Sequence, residues 1–289
     1  MHSYAKVNLT LDVLWKRVDG YHAIESVMQS ISLHDTLTIS LGGEPGIRLE
    51  CDAPGIPTGE ENLACKAASL FFGRLGTARA LDICIEKRIP QKAGLGGGSS
   101  NAAAVVRGLN HLLGRSMSAD DLGILAAEIG ADVPFFLVGG TAFVRGRGEE
   151  IQPLPDIRTR WLVIVKPTFG VSTAWAYRRL DEVRIAEQYF YSRRMLRCIQ
   201  HESCERLPEL LGNDLEMPAL ERYHEILDIK EDILRAGASG ALMCGSGSAV
   251  FGLFDSEDEA RAGAEALGAR HGESYVARTI TREEALEIA

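Results

Sequence analysis

From Lys6 to Trp15, apolar and polar residues alternate, with only Leu14 out of step. Val7, Leu9, Leu11, Val13 and Trp15 fall on one face, and Lys6, Asn8, Thr10 and Asp12 on the other. A period of two predicts a strand, and its second face is unusually rich in reactive groups. Asp19 and Gly20 supply a turn leading to Tyr21 and His22, and Thr36 to Leu41 reads as a further strand. The period then changes. Asn62 to Phe72 sets Leu63, Ala67, Leu70 and Phe71 at helical spacing, and Ala80 to Ile89 returns to alternation until Pro90 ends it. QKAGLGGGSSNAAAVVRGLNHLLG follows, glycine-dense and then helical, with Ser99, Ser100 or Asn101 as the expected N-cap. Ser118, with Asp120 and Asp121 in the first turn, opens another helix that Gly130 closes, and Asp132 stands just beyond it.

The two prolines of QPLPDIR mark a passage between domains, predicted as 1–155 and 156–289. A chain of 289 residues exceeds what one core usually fills. Beyond the passage, Trp161 to Val165 reads as a strand, Pro218 to Ala236 as one long helix, and Gly240 to Cys244 and Ala249 to Phe254 as strands. Ser256 to Leu267 reads as a helix and Ser274 to Arg278 as a last strand. That order, β-α-β-β-α-β, is a ferredoxin-like layer with extra helices inserted around 172 to 211, and the fold class is α+β. RIAEQYFYSRRMLRCIQHESCER, 184 to 206, matches no motif and reads equally as a flap, a dimer surface or a solvated helix.

Apolar residues make up 46% and charged residues 25% of the chain, which excludes disorder and coiled coil. Forty acidic against 31 basic residues give a net charge of -9. General affinity for nucleic acid or anionic membrane is not expected, so any anionic ligand must be held locally. Lys6 and Asp12 interrupt the start of the chain, and the uncharged stretch from Val133 to Val144 contains Pro134, Gly139 and Gly140. Neither a signal peptide nor a membrane span is predicted, and the expected location is cytoplasmic. Cysteines 51, 65, 84, 198, 204 and 244 form no CxxC pair and read as reduced thiols. Cys198, His201 and Cys204 are spaced i, i+3, i+6, which on a helix leaves the outer two roughly 120° apart, a poor geometry for one tetrahedral zinc.

GLGGGSS at 94 to 100 is the strongest chemical signal. Successive glycines let backbone N–H groups approach phosphate oxygens where a helix N-terminus adds partial positive charge. A flexible turn is the alternative. The loop lacks the GK[ST] ending of a Walker A motif, and Ser99 occupies the last glycine position of GxGxxG. HRD, DFG and GxSxG elements are absent as well.

PQKAGLGGGSSNAA resembles the second motif of the GHMP kinases, the superfamily of galactokinase, homoserine kinase and mevalonate kinase. YAKVNLTLDVLWKRVDGYH resembles the first motif, CGSGSAVFGLF the third, and GADVPFF and GNDLE further family stretches in the family's order. The AKxNLxL to DGYH segment resembles the branch acting on 4-diphosphocytidyl-methylerythritol. The resemblance implies transfer of the ATP γ-phosphoryl group to the 2-hydroxyl of that substrate, in non-mevalonate isoprenoid biosynthesis. It further implies a two-domain GHMP kinase fold, ribosomal protein S5 domain 2-like and then ferredoxin-like, with Mg²⁺ accompanying ATP and small molecules as partners. The oligomeric state stays open. The rival expectations are a GHMP kinase for another small alcohol and a catalytically silent nucleotide-binding regulator.

By this resemblance Lys6 and Asp132 are the catalytic pair, with Asp132 as the proton acceptor; their plain alternatives are a solvated strand lysine and an N-cap. Pro90, Gln91, Lys92, Ala93, Gly94, Leu95, Gly96, Gly97, Gly98, Ser99 and Ser100 would hold ATP. Which serine meets Mg²⁺ is not readable. Asn62 matches a position near the adenine and is an equally good helix cap. For the acceptor substrate, the resemblance implicates Asn8, an aromatic pair of Tyr21 and Tyr177 around the cytosine, and His22 at its polar edge. Gly245, Ser246, Gly247 and Ser248 read as a second backbone cradle or a tight hairpin turn.

Overall fold

The computed structural model describes residues 1–42, 45–183, 190–201 and 204–288. The first half runs β1 (His2–Lys16), β2 (His22–Leu41), β3 (Ile47–Cys51), α1 (Leu63–Arg74), β4 (Leu81–Glu86), α2 (Gly97–Leu112), α3 (Ala119–Ile129), α4 (Val133–Val138), β5 (Thr141–Gly146) and β6 (Glu150–Pro153). The second half runs β7 (Trp161–Lys166), α5 (Thr173–Val183), α6 (Tyr191–Gln200), a 3-10 turn (Cys204–Leu210), β8 (Gly212–Asn213), α7 (Glu216–Arg222), α8 (Glu225–Arg235), β9 (Gly240–Met243), β10 (Val250–Phe254), α9 (Glu257–His271), β11 (Glu273–Arg278) and α10 (Arg282–Leu286).

Two sheets carry the molecule. The first has seven strands built on β2, whose opening residues pair with β5 and whose closing residues pair with β4, while β1 runs antiparallel along its other edge. Helices α1 to α4 bury Ala67, Phe71, Val105, Leu109 and Phe135 against this sheet, each removed from water at a gain of roughly 25 cal/mol per Å² of apolar surface. The second sheet is antiparallel with order β11-β7-β10-β9, the arrangement that a β-α-β-β-α-β chain gives when its two crossovers interleave. β8 departs from this division: Gly212 and Asn213 lie parallel to Thr10 and Leu11 of β1, extending the first sheet.

Several expectations are corrected. The solvated alternative for Lys6 fails: Lys6, Asn8, Thr10 and Asp12 are all buried, Thr10 and Asp12 bonded to Ser192 at the start of α6 and Lys6 and Asn8 close against Gly245. Trp15, expected inside, is 64% exposed at the end of the strand. β2 extends well before Thr36. The long helix expected over 218–236 is two helices, since the backbone leaves helical geometry at Tyr223, whose ring stacks on Phe169 at 4.9 Å. Within 184 to 206, residues 184–189 and 202–203 lie outside the described residues, and Tyr191 to Gln200 form α6 against β1 and β2.

Candidate active site

The glycine loop enters on a fixed footing. Asp35, fully buried, accepts from Lys87 Nζ and from the backbone N–H groups of Arg88 and Ile89, which holds the segment just before Pro90. Lys6 N then donates to Leu95 O at 3.1 Å, joining the loop to β1. Two glycines are required here. Gly94 has φ +78° and a Cβ would fall 1.9 Å from the Cys244 carbonyl; Gly96 has φ +72° and its Cβ would fall 2.6 Å from the Phe136 ring.

The cap of α2 differs from the expected one. Gly96 occupies the N-cap position and has no side chain to offer, so the first N–H groups of the helix carry no side-chain cap. The serine and asparagine expected to cap it are engaged beneath. Ser100 Oγ donates to Tyr4 O at 2.6 Å, and Ser3 Oγ lies 2.7 Å from both Ser100 Oγ and Asn101 Oδ1. Ser99 alone of the two serines lines the cavity of about 400 Å³ formed by residues 90 to 99 with Asn62, Leu63 and Lys87. Asn62 caps α1, accepting from Ala64 N at 2.9 Å, and also lines this cavity.

Lys92, Gly94 and Gly96 also line a second cavity of about 670 Å³, shared with Lys6, Asn8, Asp132, Thr173, Tyr177 and Gly245 to Gly247. Lys6 is 3% exposed, and its ammonium donates to Asn8 Oδ1 at 2.6 Å and stands 3.7 Å from Asp132 Oδ2. Asp132 sits at the N-cap position of α4 but makes no capping bond, its carboxylate turned toward Lys6 instead. Beside them, burial pushes the Cys244 thiol up to about 12 although the Lys6 charge opposes it, so this cysteine stays protonated and is no nucleophile.

The loop from 245 to 248 is the turn that joins β9 to β10, and Gly245, Ser246 and Gly247 of it line the cavity. Ser246 Oγ lies 2.8 Å from Thr173 Oγ1 across it, whereas Ser248 is fully buried and donates to Phe169 O. Tyr177 of the lining stacks on His22, ring centroids 5.1 Å apart; His22 itself lies outside the lining and bonds Asp181 through Nε2 at 2.7 Å. Although burial opposes it, the bonds from His22 and Lys16 hold the Asp181 carboxyl below the usual range. Burial, with Asp132 and Asp214 nearby, raises the Tyr177 hydroxyl. Tyr21 is 57% exposed, lies outside the lining of this cavity, and has the Arg147 guanidinium 5.2 Å from its ring centre.

Two family models match the chain, "GHMP kinases N terminal domain" over residues 62–140 and "GHMP kinases C terminal" over 195–274. The 4-diphosphocytidyl-2-C-methyl-D-erythritol kinase of Syntrophotalea carbinolica is 45% identical over 93% of this chain and 94% of its own. The chain belongs to this kinase family. The same-named protein of Geobacter sulfurreducens is 43% identical, covering 96% of this chain and 97% of its own. The crystal structure of a 4-(cytidine 5'-diphospho)-2C-methyl-D-erythritol kinase superposes with a TM-score of 0.81 at 36% identity, over 96% of this chain and 98% of that one. The α+β two-domain GHMP kinase fold follows from these likenesses.

Some site residues escaped the sequence. Thr173, Ser26 and Asp35 carry no pattern that separates them from ordinary polar residues, and Asn213, although inside the GNDLE stretch, receives no role from it; Thr173 lines the larger cavity and the other three hold its neighbours in place. Asn213 Nδ2 donates to both Met243 O and Gly245 O, tying β8 to the 245–248 loop. Among the described residues no three His, Cys, Asp or Glu side chains converge as a metal centre; the Cys198 and Cys204 sulfurs instead face each other at 2.7 Å. No helix among them is long and apolar enough to cross a membrane.

Proposed function

We propose that this chain transfers the γ-phosphoryl group of ATP to the 2-hydroxyl of 4-diphosphocytidyl-2-C-methyl-D-erythritol, with ADP as the second product. The observation that carries the mechanism is the meeting of Lys6 and Asp132 at 3.7 Å in a cavity that shares Lys92, Gly94 and Gly96 with the glycine-loop cavity. ATP lies in the second of these and the alcohol in the first. Residues 1–155 carry the nucleotide and 156–289 close over the acceptor.

An alcohol is a weak nucleophile. The Asp132 carboxylate accepts its proton as the oxygen bonds to the γ-phosphorus and the bond to the ADP oxygen breaks. The Lys6 ammonium offsets charge on the attacking oxygen, and the uncapped N-terminus of α2 receives the phosphates. Mg²⁺ fits the residues present, because it takes oxygen ligands and is usually completed by water and substrate phosphates rather than by a protein cage; Ser99 is the hydroxyl turned to the cavity. When bound it neutralises phosphate charge. His22 and Tyr177 read the cytosine, and Tyr21 reaches it from the rim.

ADP release with Mg-ATP and a panel of alcohols tests the reading. Turnover is expected with the diphosphocytidyl substrate only. Comparable rates on mevalonate or homoserine would overturn the substrate assignment, and no turnover on any would favour a silent nucleotide binder.

A further inference from the structure

Ser26 lines neither of the two cavities of the site, yet it bonds the residue that holds Lys6. The register of β1 on β2 slips between Asn8, opposite Met28, and Thr10, opposite Val27, so Leu9 is an extra residue in the strand. Such a bulge breaks the regular ladder and leaves backbone groups to find other partners. Two hydroxyls supply them: Ser26 Oγ donates to Thr10 O at 2.6 Å, and Thr10 Oγ1 accepts from Val27 N at 3.0 Å.

The consequence lies in the count of protons. Ser26 has one hydroxyl proton, and the Thr10 carbonyl, which can only accept, takes it. Toward Asn8, Ser26 then has only lone pairs to offer, and it accepts from Asn8 Nδ2 at 2.8 Å. This pins the nitrogen end of the Asn8 amide, and the oxygen end faces Lys6, whose ammonium donates to it at 2.6 Å. A flipped amide would set NH₂ against NH₃⁺. Lys6, Asn8 and Ser26 are all buried, so such a mismatch would be costly. Resting on the reading that Lys6 serves phosphoryl transfer, we infer that Ser26 is a positioning residue: it fixes the orientation of the Asn8 amide and, through it, the place of the Lys6 ammonium.

The test compares wild type with Ser26→Ala, Ser26→Thr, Asn8→Ala and the Asn8→Ala/Ser26→Ala pair. Ser26→Ala is expected to lower kcat about tenfold, the size of one buried hydrogen bond, with little change in KM for ATP. Ser26→Thr keeps the hydroxyl and is expected to restore most of it. In the Asn8→Ala background Ser26→Ala is expected to cost nothing further, because its only route to Lys6 is gone. An equal loss in both backgrounds, or a wild-type kcat in Ser26→Ala, would overturn the inference. A readout independent of the reaction is the ¹⁵N NMR signal of the Asn8 side-chain amide without substrate. Its protons are expected to be protected in wild type and to exchange rapidly in Ser26→Ala; unchanged protection sinks the inference even if the enzyme proves to act on another alcohol.

Discussion

The backbone of Gly94 presses on the carbonyl of Cys244 so closely that no methyl group fits between them. One residue belongs to the glycine loop and the other to the entry of the β9–β10 turn, so this contact sets the spacing of two loops that face one cavity. Gly94→Ala must separate them and strain a left-handed φ as well. The expected result is a rise in KM for both substrates and a loss of about 1–3 kcal/mol of stability, as for overpacked sites. Steady-state kinetics and urea denaturation check it.

Asp132→Asn keeps the size of the side chain and removes the proton acceptor. Turnover is expected to fall by roughly 10² to 10⁴ while ATP affinity changes little. Lys6→Met is expected to lower kcat as well, without abolishing nucleotide binding. Paired kinetic and ATP-binding measurements decide it, and a near-normal kcat for Asp132→Asn would leave positioning and charge to carry the reaction.

Ser99→Ala and Ser100→Ala are expected to separate cleanly. The first faces the cavity and should raise the Mg²⁺ and ATP concentrations needed for half-maximal rate. The second leaves the Tyr4 carbonyl without its partner and should cost about 1–3 kcal/mol of stability with less effect on ATP. Titration of Mg²⁺ in the assay, beside denaturation midpoints, reads both.

Replacing Tyr177 by Ala removes the face on which His22 stacks. KM for the diphosphocytidyl substrate is expected to rise with a loss of roughly 1–3 kcal/mol of base stacking, while KM for ATP holds. His22→Ala should instead weaken the preference over the uridine analogue, and should let the Asp181 carboxyl rise toward its ordinary range, visible by carbon NMR titration.

The bond from the Arg278 guanidinium, with the Thr281 backbone N–H, holds the Glu284 carboxyl down at about 2. A carboxyl lowered by folding stabilises the fold above its unfolded value of about 4.3, and that contribution is lost as pH falls toward the folded one. Glu284 closes the capping box of α10, whose Ala285 and Leu286 carbonyls receive Arg107. Wild type should therefore lose stability between pH 4.5 and 2.5 more steeply than Glu284→Gln, in urea midpoints measured across that window.

What could be read before the structure was local. The alternation of β1, the strand–glycine–helix unit at 81 to 112 and the β-α-β-β-α-β order depend on neighbours in sequence, and each is present, with the helix over 218–236 split at Tyr223. What could not be read depends on distant partners. The Asp12 carboxylate is raised by burial although Tyr191 N and Ser192 N bond to it, and nothing near Asp12 announces a helix arriving from almost 180 residues away. The cap of α2 was misplaced for the same reason, since Ser3 and Tyr4 claim the polar side chains of its first turn. Tyr21 and Tyr177 share a role by resemblance, but only Tyr177 lines the cavity; Tyr21 is exposed, with Arg147 against its ring.

The short strand Gly212–Asn213 beside Thr10 and Leu11 gives the molecule a particular order of assembly. At ribosomal rates of about 5–20 residues per second, some 200 residues separate the two partners by roughly 10–40 s of synthesis. Through that interval the nascent N-terminal half carries an open edge on its first strand, with a buried lysine, asparagine and aspartate not yet enclosed. The face that bears Lys6 and Asn8 thus waits for chain made much later, first β8 and then the 245–248 loop, before its cavity is complete.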